Sequence, residues 1–142
     1  MLEAFELSAI SFQPDGRLLE VIHVQSFKNL KVWEKAHVLT LDVYKLSKSF
    51  PRDEIYGLTS QMRRSAASIG ANIAEGSCRK GDCELGRFLQ IAMGSASELE
   101  YHLLLAHDLE LLRLLDYRRL SDEVIEVKRM LASFIHKLKA ES

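Results

Sequence analysis

Ser68, Asn72 and Glu75 stand four and three residues apart, the spacing that returns side chains to one helical face, and all three can enter a hydrogen-bond network. They lie in the stretch Leu58 to Gly76 (LTSQMRRSAASIGANIAEG), where Gln61 and Ser65 extend the same polar stripe. Beside it runs an apolar stripe of Leu58, Met62, Ala66, Ile69 and Ile73. A polar stripe flanking a core stripe must face water, a partner or a buried network. Ala67, Gly70, Ala71 and Ala74 would let a second backbone come close. A matching set, Ser95, Glu98 and His102, follows later in the chain beside the small residues Gly94, Ser95 and Ala96. A buried Asn or Glu must be hydrogen-bonded, and Arg64 or Arg87 could donate to Glu75. Ser68, Asn72, Glu75, Ser95 and Glu98 are therefore expected to form a structural polar network that fixes register and oligomeric state. A ligand or nucleic-acid site on the same stripe is the competing reading.

The carboxylates and imidazoles invite a second chemistry. Ferritin-like di-iron bundles point Glu-x-x-His pairs inward from two helices. Here Glu34-x-x-His37 is one such pair, Glu98 and His102 are four apart rather than three, and Glu75 and Glu126 complete only part of a set. No metal centre is expected. Cys78 and Cys83 are spaced five apart and miss the C-x-x-C pattern, which reads as incidental thiols. No Ser-His-Asp or Cys-His arrangement and no glycine-rich loop after a strand emerges, so neither catalytic residues nor a cofactor are assigned.

Basic residues supply a third possibility. Arg63, Arg64, Arg79, Lys80 and Arg87 could form a positive rim on an assembled ring and contact the phosphates of RNA or DNA. The overall balance does not favour this, because 19 Lys plus Arg stand against 20 Asp plus Glu, a formal charge of -1. The chain has 142 residues, enough for one domain with a real core. Its longest apolar runs are broken by charge well short of a membrane span, and Glu3 and Glu6 stand where a secretory signal would be basic, so a cytoplasmic protein with no membrane contact is expected.

The elements that position these residues follow from periodicity. Residues 1–26 carry β-prone runs around Pro14-Asp15-Gly16 and are expected to form a hairpin, an irregular arm or a disordered extension. Residues 27–142 form the bundle. A first helix, about 30–50, starts at Asn29 as N-cap and has the seam Val32, Ala36, Leu39, Val43, Leu46 and Phe50 before Pro51 stops it. The second spans about 54–76, with Gly76 as a left-handed C-cap. The third spans about 82–114 and the fourth about 117–139, capped by Asp116, with the seam Leu120, Val124, Val127, Leu131, Phe134 and Leu138. Short connections imply an all-α, antiparallel, up-down-up-down four-helix bundle. The third helix is apolar over more than one face, and its leucine-rich end predicts a homo-oligomer.

The segments FKNLKVWEKA (Phe27 to Ala36), FPRDEIYGL (Phe50 to Leu58), SQMRRSAASIGANIAEG (Ser60 to Gly76) and RFLQIAMGSASELE (Arg87 to Glu100) resemble the four-helix bundle family of the 23S ribosomal RNA intervening-sequence proteins. The resemblance covers about Phe27 to Leu138. It implies a left-handed bundle, assembly into a barrel-like homopentamer and no enzyme activity. A related accessory protein of diversity-generating retroelements binds nucleic acid and a reverse transcriptase, which implies RNA, DNA or a nucleic-acid enzyme as partner classes.

Overall fold

The computed structural model describes residues 6–12, 18–24, 26–78 and 81–141. Two strands, β1 (Glu6–Phe12) and β2 (Leu18–Val24), pair antiparallel with Glu6 opposite Val24 and Ile10 opposite Val21. A single 3-10 turn, Phe27–Asn29, leads into helix α1 (Lys31–Ser47). Helices α2 (Leu58–Ser77), α3 (Asp82–Asp108) and α4 (Leu114–Glu141) follow. Each of α1 to α4 packs on its sequence neighbours, and α4 closes back onto α1. The cross-links descend in number on one helix as they rise on the next. Thr40 meets Ala66 and Ser47 meets Arg63; Ser68 meets Ser95; Lys128 meets Glu100; Arg119 meets Asp42. With Gly76 against Phe88, His107 stacked on Tyr117 and Lys35 paired with Glu126 as second links, that ordering makes every adjacent pair antiparallel, as the short connections require.

The seams explain the core. On α2 the whole stripe from Leu58 to Ile73 is buried, and on α3 so is the stripe Leu85, Leu89, Ala92, Ala96, Leu99, Leu103 and Ala106. Two seams depart from expectation near a helix end. On α1 the helix stops at Ser47, four residues before Pro51, and Ser47 rather than Leu46 takes the buried position. Phe50 folds back into the core from outside the helix. On α4 Ile135, not Phe134, lies in the buried row, while Phe134 is only partly covered.

The helix ends depart from the sequence pattern more than the faces do. Asn29 is not the N-cap of α1: it closes the 3-10 turn, and Leu30 occupies the cap position with no side-chain bond. Gly76 is not a left-handed cap either. It lies inside α2, and an added Cβ there would come 2.7 Å from Phe88 Cβ and 3.2 Å from Leu85 Cδ1. Its smallness sets the approach of α3, and the positive φ of 91° falls instead on Gly81, just before α3. Helix α3 ends at Asp108, short of 114. Glu110 takes a φ of 63°, its N–H donating to His107 O, while Leu111 N–H reaches back to Ala106 O, both at 2.9 Å. Those two bonds are the Schellman pattern, built on glutamate where glycine is usual. Helix α4 then begins at Leu114, and Asp116 lies in its first turn, where its Oδ2 accepts from Arg113 Nε at 3.2 Å.

Candidate functional site

The polar stripe is only partly drawn together. Ser68 Oγ and Ser95 Oγ stand 2.9 Å apart across α2 and α3, and Asn72 Nδ2 donates to Ser68 O at 2.8 Å and Ser68 Oγ at 3.0 Å. Asn72 and Ser95 are half-buried. The group is a compact link of two hydroxyls and one amide, held because Ser68 and Asn72 share a face one turn apart. Glu75 and Glu98 lie on the exposed surface. Glu98 Oε1 reaches instead to His102 Nε2 at 4.0 Å, on the same helix. His102 is 7% exposed, and its Nδ1 has no hydrogen-bond partner. Gly94, expected to admit a close neighbour, has nothing within 4 Å of an added Cβ. The close approach falls at Gly70, against the Trp33 indole, and at Gly76.

The basic candidates separate. Arg63 is turned inward along α1, its Nε donating to Ser47 Oγ at 2.9 Å and its guanidinium 4.9 Å over the Tyr44 ring. That pairing ties α1 to α2 rather than presenting charge. Arg64 is exposed. Arg87 lies near the start of α3, 3.3 Å from Glu84 and over the Phe88 ring. Because Ser68 faces Ser95, Arg64 is level with about Leu99, and some twelve residues of α3, roughly 18 Å, separate it from Arg87. Arg79 and Lys80 fall outside the described residues. One chain therefore does not gather the described basic residues into a single patch.

The would-be metal ligands are also dispersed. His37 stacks on Trp33 at 4.9 Å and 9°, and Phe27 meets the same indole edge-on at 5.0 Å, so His37 belongs to an aromatic cluster at the head of α1. Glu126 pairs with Lys35 at 3.3 Å. Among the described residues no three His, Cys, Asp or Glu side chains converge in metal-binding geometry.

One polar cluster was not foreseen. Asp42 on α1 and Glu123 on α4 share Arg119, whose Nη1 lies 3.1 Å from Asp42 Oδ2 and 3.5 Å from Glu123 Oε1. Burial pushes the Glu123 carboxyl up from 4.5 to about 7, the neighbouring Asp42 charge and a hydrogen bond between the two carboxyls push the same way, and Arg119 opposes. Near neutrality the Glu123 carboxyl is therefore still partly protonated. The signal was present but faint: Asp42, Arg119 and Glu123 each directly precede a seam residue, Val43, Leu120 and Val124, which places all three on the flank of the α1–α4 seam.

Comparison with known proteins bears on the whole bundle rather than on any one cluster. The sequence model described as 23S rRNA-intervening sequence protein matches residues 28–133. Among solved structures, a protein of unknown function from the S23 ribosomal protein family of Bacteroides thetaiotaomicron superposes with a TM-score of 0.67 at 27% identity, covering 73% of this chain and 97% of that one. No curated protein matches the chain.

Proposed function

This chain belongs to the 23S rRNA-intervening sequence protein family, and from that premise we propose that it is a non-enzymatic assembly protein whose copies form a ring, a pentamer by family resemblance, that presents a surface to a macromolecular partner. The observation that carries this reading is apolar surface on two helices that do not touch. On α1, Val38 and Leu41 are exposed; on α3, Ile91, Tyr101 and Leu104 are exposed, Tyr101 by 59%. Since α1 and α3 face each other diagonally across the bundle, these patches look in different directions. A two-fold dimer on one patch would leave the other in water, whereas head-to-tail contact of α1 on α3 buries both and is the kind of interface from which a ring is built. Sedimentation velocity at micromolar concentration tests this. Five copies of 16.2 kDa would give about 81 kDa; a compact monomer alone would sink the proposal.

Within that reading, Ser68, Asn72 and Ser95 serve as a structural link between α2 and α3. Asn72→Leu should then alter melting or assembly before it alters binding to any partner. Unchanged melting and assembly with lost partner binding would return the stripe to a recognition role. The alternative, an RNA- or DNA-binding accessory factor, draws less support from the geometry, because Arg63 is engaged by Ser47 and Tyr44 and Arg64 is far from Arg87. Salt separates the two readings, since phosphate-driven binding weakens steeply as salt rises and apolar docking does not.

A further inference from the structure

The α1–α4 pair has the smallest contact of the four neighbouring helix pairs, and where the first turn of α1 meets the last turns of α4 it leaves a cavity of about 630 Å³. Its size is that of a small-ligand site. The floor is apolar, formed by Val32, Met130, Phe134 and Leu138. The mouth is not. Lys31, Arg129 and Lys137 stand around it with one carboxylate, Glu141. Among the described residues none of these three cations makes an ion pair or hydrogen bond, whereas Lys35 and Lys128 elsewhere on the same helices are each paired. The start of α1 and the end of α4 bring opposite dipole ends to this mouth, so its positive character rests on the three side chains.

An apolar floor beneath three unpaired cations has a defined complement. We propose that this cavity binds a single-tailed anionic amphiphile, its chain on Val32, Met130, Phe134 and Leu138 and its head among Lys31, Arg129 and Lys137. The partial exposure of Phe134 then has a use: the buried row passes to Ile135, and the displaced ring walls the cavity. The inference stands apart from assembly, because the lining residues are not those of the exposed α1 and α3 patches.

Calorimetric titration of the full chain with dodecanoate, dodecyl phosphate and dodecanol, each below its micelle concentration, tests it. Both anions should bind at one site per chain, their relative affinity distinguishing a carboxylate from a phosphate head, and dodecanol should bind at least about tenfold more weakly, the loss expected for a missing charge-assisted hydrogen bond. Lys137→Glu should weaken dodecanoate binding by about tenfold, and Glu141→Gln should strengthen it. Ser133→Trp, at an exposed position on the cavity wall, should abolish binding while melting as the wild type does. Equal affinity for dodecanol, many molecules bound per chain, no binding at all, or full binding by a folded Ser133→Trp variant would each overturn the proposal.

Discussion

Gly76→Ala puts the closeness of α2 and α3 to a direct test. Two effects oppose one another. Replacing glycine by alanine inside a helix ordinarily stabilises by about 0.5–1 kcal/mol, because the unfolded chain has less freedom to lose. At Gly76, however, the new methyl would stand 2.7 Å from Phe88 Cβ and 3.2 Å from Leu85 Cδ1. The leucine methyl can rotate away; Phe88 Cβ is fixed to the α3 backbone, so relief requires α3 itself to move. Overpacking of that kind costs about 1–3 kcal/mol. The net expectation is a loss of about 0.5–2 kcal/mol, or roughly 2–6 °C in Tm for a chain of this length. Gly86→Ala is the internal control, since an added Cβ there meets nothing within 4 Å and the helix gain stands unopposed. Thermal unfolding followed by circular dichroism at one fixed protein concentration reads both variants. If Gly76→Ala melted as high as Gly86→Ala, the claim that Gly76 sets the α2–α3 distance would be wrong.

Two further expectations rest on single positions. Glu110→Gly should raise stability by about 0.5–1 kcal/mol, because glycine adopts the φ of 63° without the steric cost borne by glutamate, and a Tm unchanged or lowered would count against that account of the turn. Glu123→Gln should remove a pH dependence. The Glu123 carboxyl is raised in the folded state, so its contribution is fully present below about 4.5 and is lost as pH rises through about 7. With 27% of its side chain exposed, we take the effect as on the order of 1–2 kcal/mol rather than the full value implied by the shift. The gap between variant and wild type in urea midpoint should therefore widen in favour of Glu123→Gln from pH 5 to pH 8; a constant gap would refute a raised Glu123 carboxyl.

How far the sequence could be read depended on what kind of force decided each feature. The faces of α2 and α3 were legible because burial of Leu58, Met62, Ile69 or Leu99 follows from period alone. The ends were not. Gly76 satisfies the local rule for a C-cap, but packing against Phe88 claimed it, and the actual left-handed turn of α3 is carried by Glu110, a residue that gives no turn signal. Phe134 and Ile135 are adjacent and both apolar, so periodicity with one residue of tolerance could not choose between them. Ser68, Asn72 and Ser95 meet where their spacing places them, because short side chains at a helix contact have little freedom. Glu75 and Glu98, with longer side chains, lie at the surface, which spacing alone does not decide. The five cations lie within one stretch of the sequence, yet along a single chain α2 carries Arg64 well away from Arg87, a separation that periodicity alone does not give. Asp42 and Glu123 are distant in the chain, and only the closing of α4 onto α1 makes them a pair.

That closure has a kinetic side. Helices α2 and α3 are separated by only a few residues and share the broadest contact in the bundle, so they can pair early at small entropic cost. Helix α1 can dock on α4 only by closing the longest loop of the four pairs, and it gains the least contact in doing so. The α1–α4 seam is therefore where the native bundle should open first and most often. In amide exchange this would set the first turn of α1 and the last turns of α4 apart as the fastest-exchanging helical amides, while α2 and α3 report the global unfolding free energy.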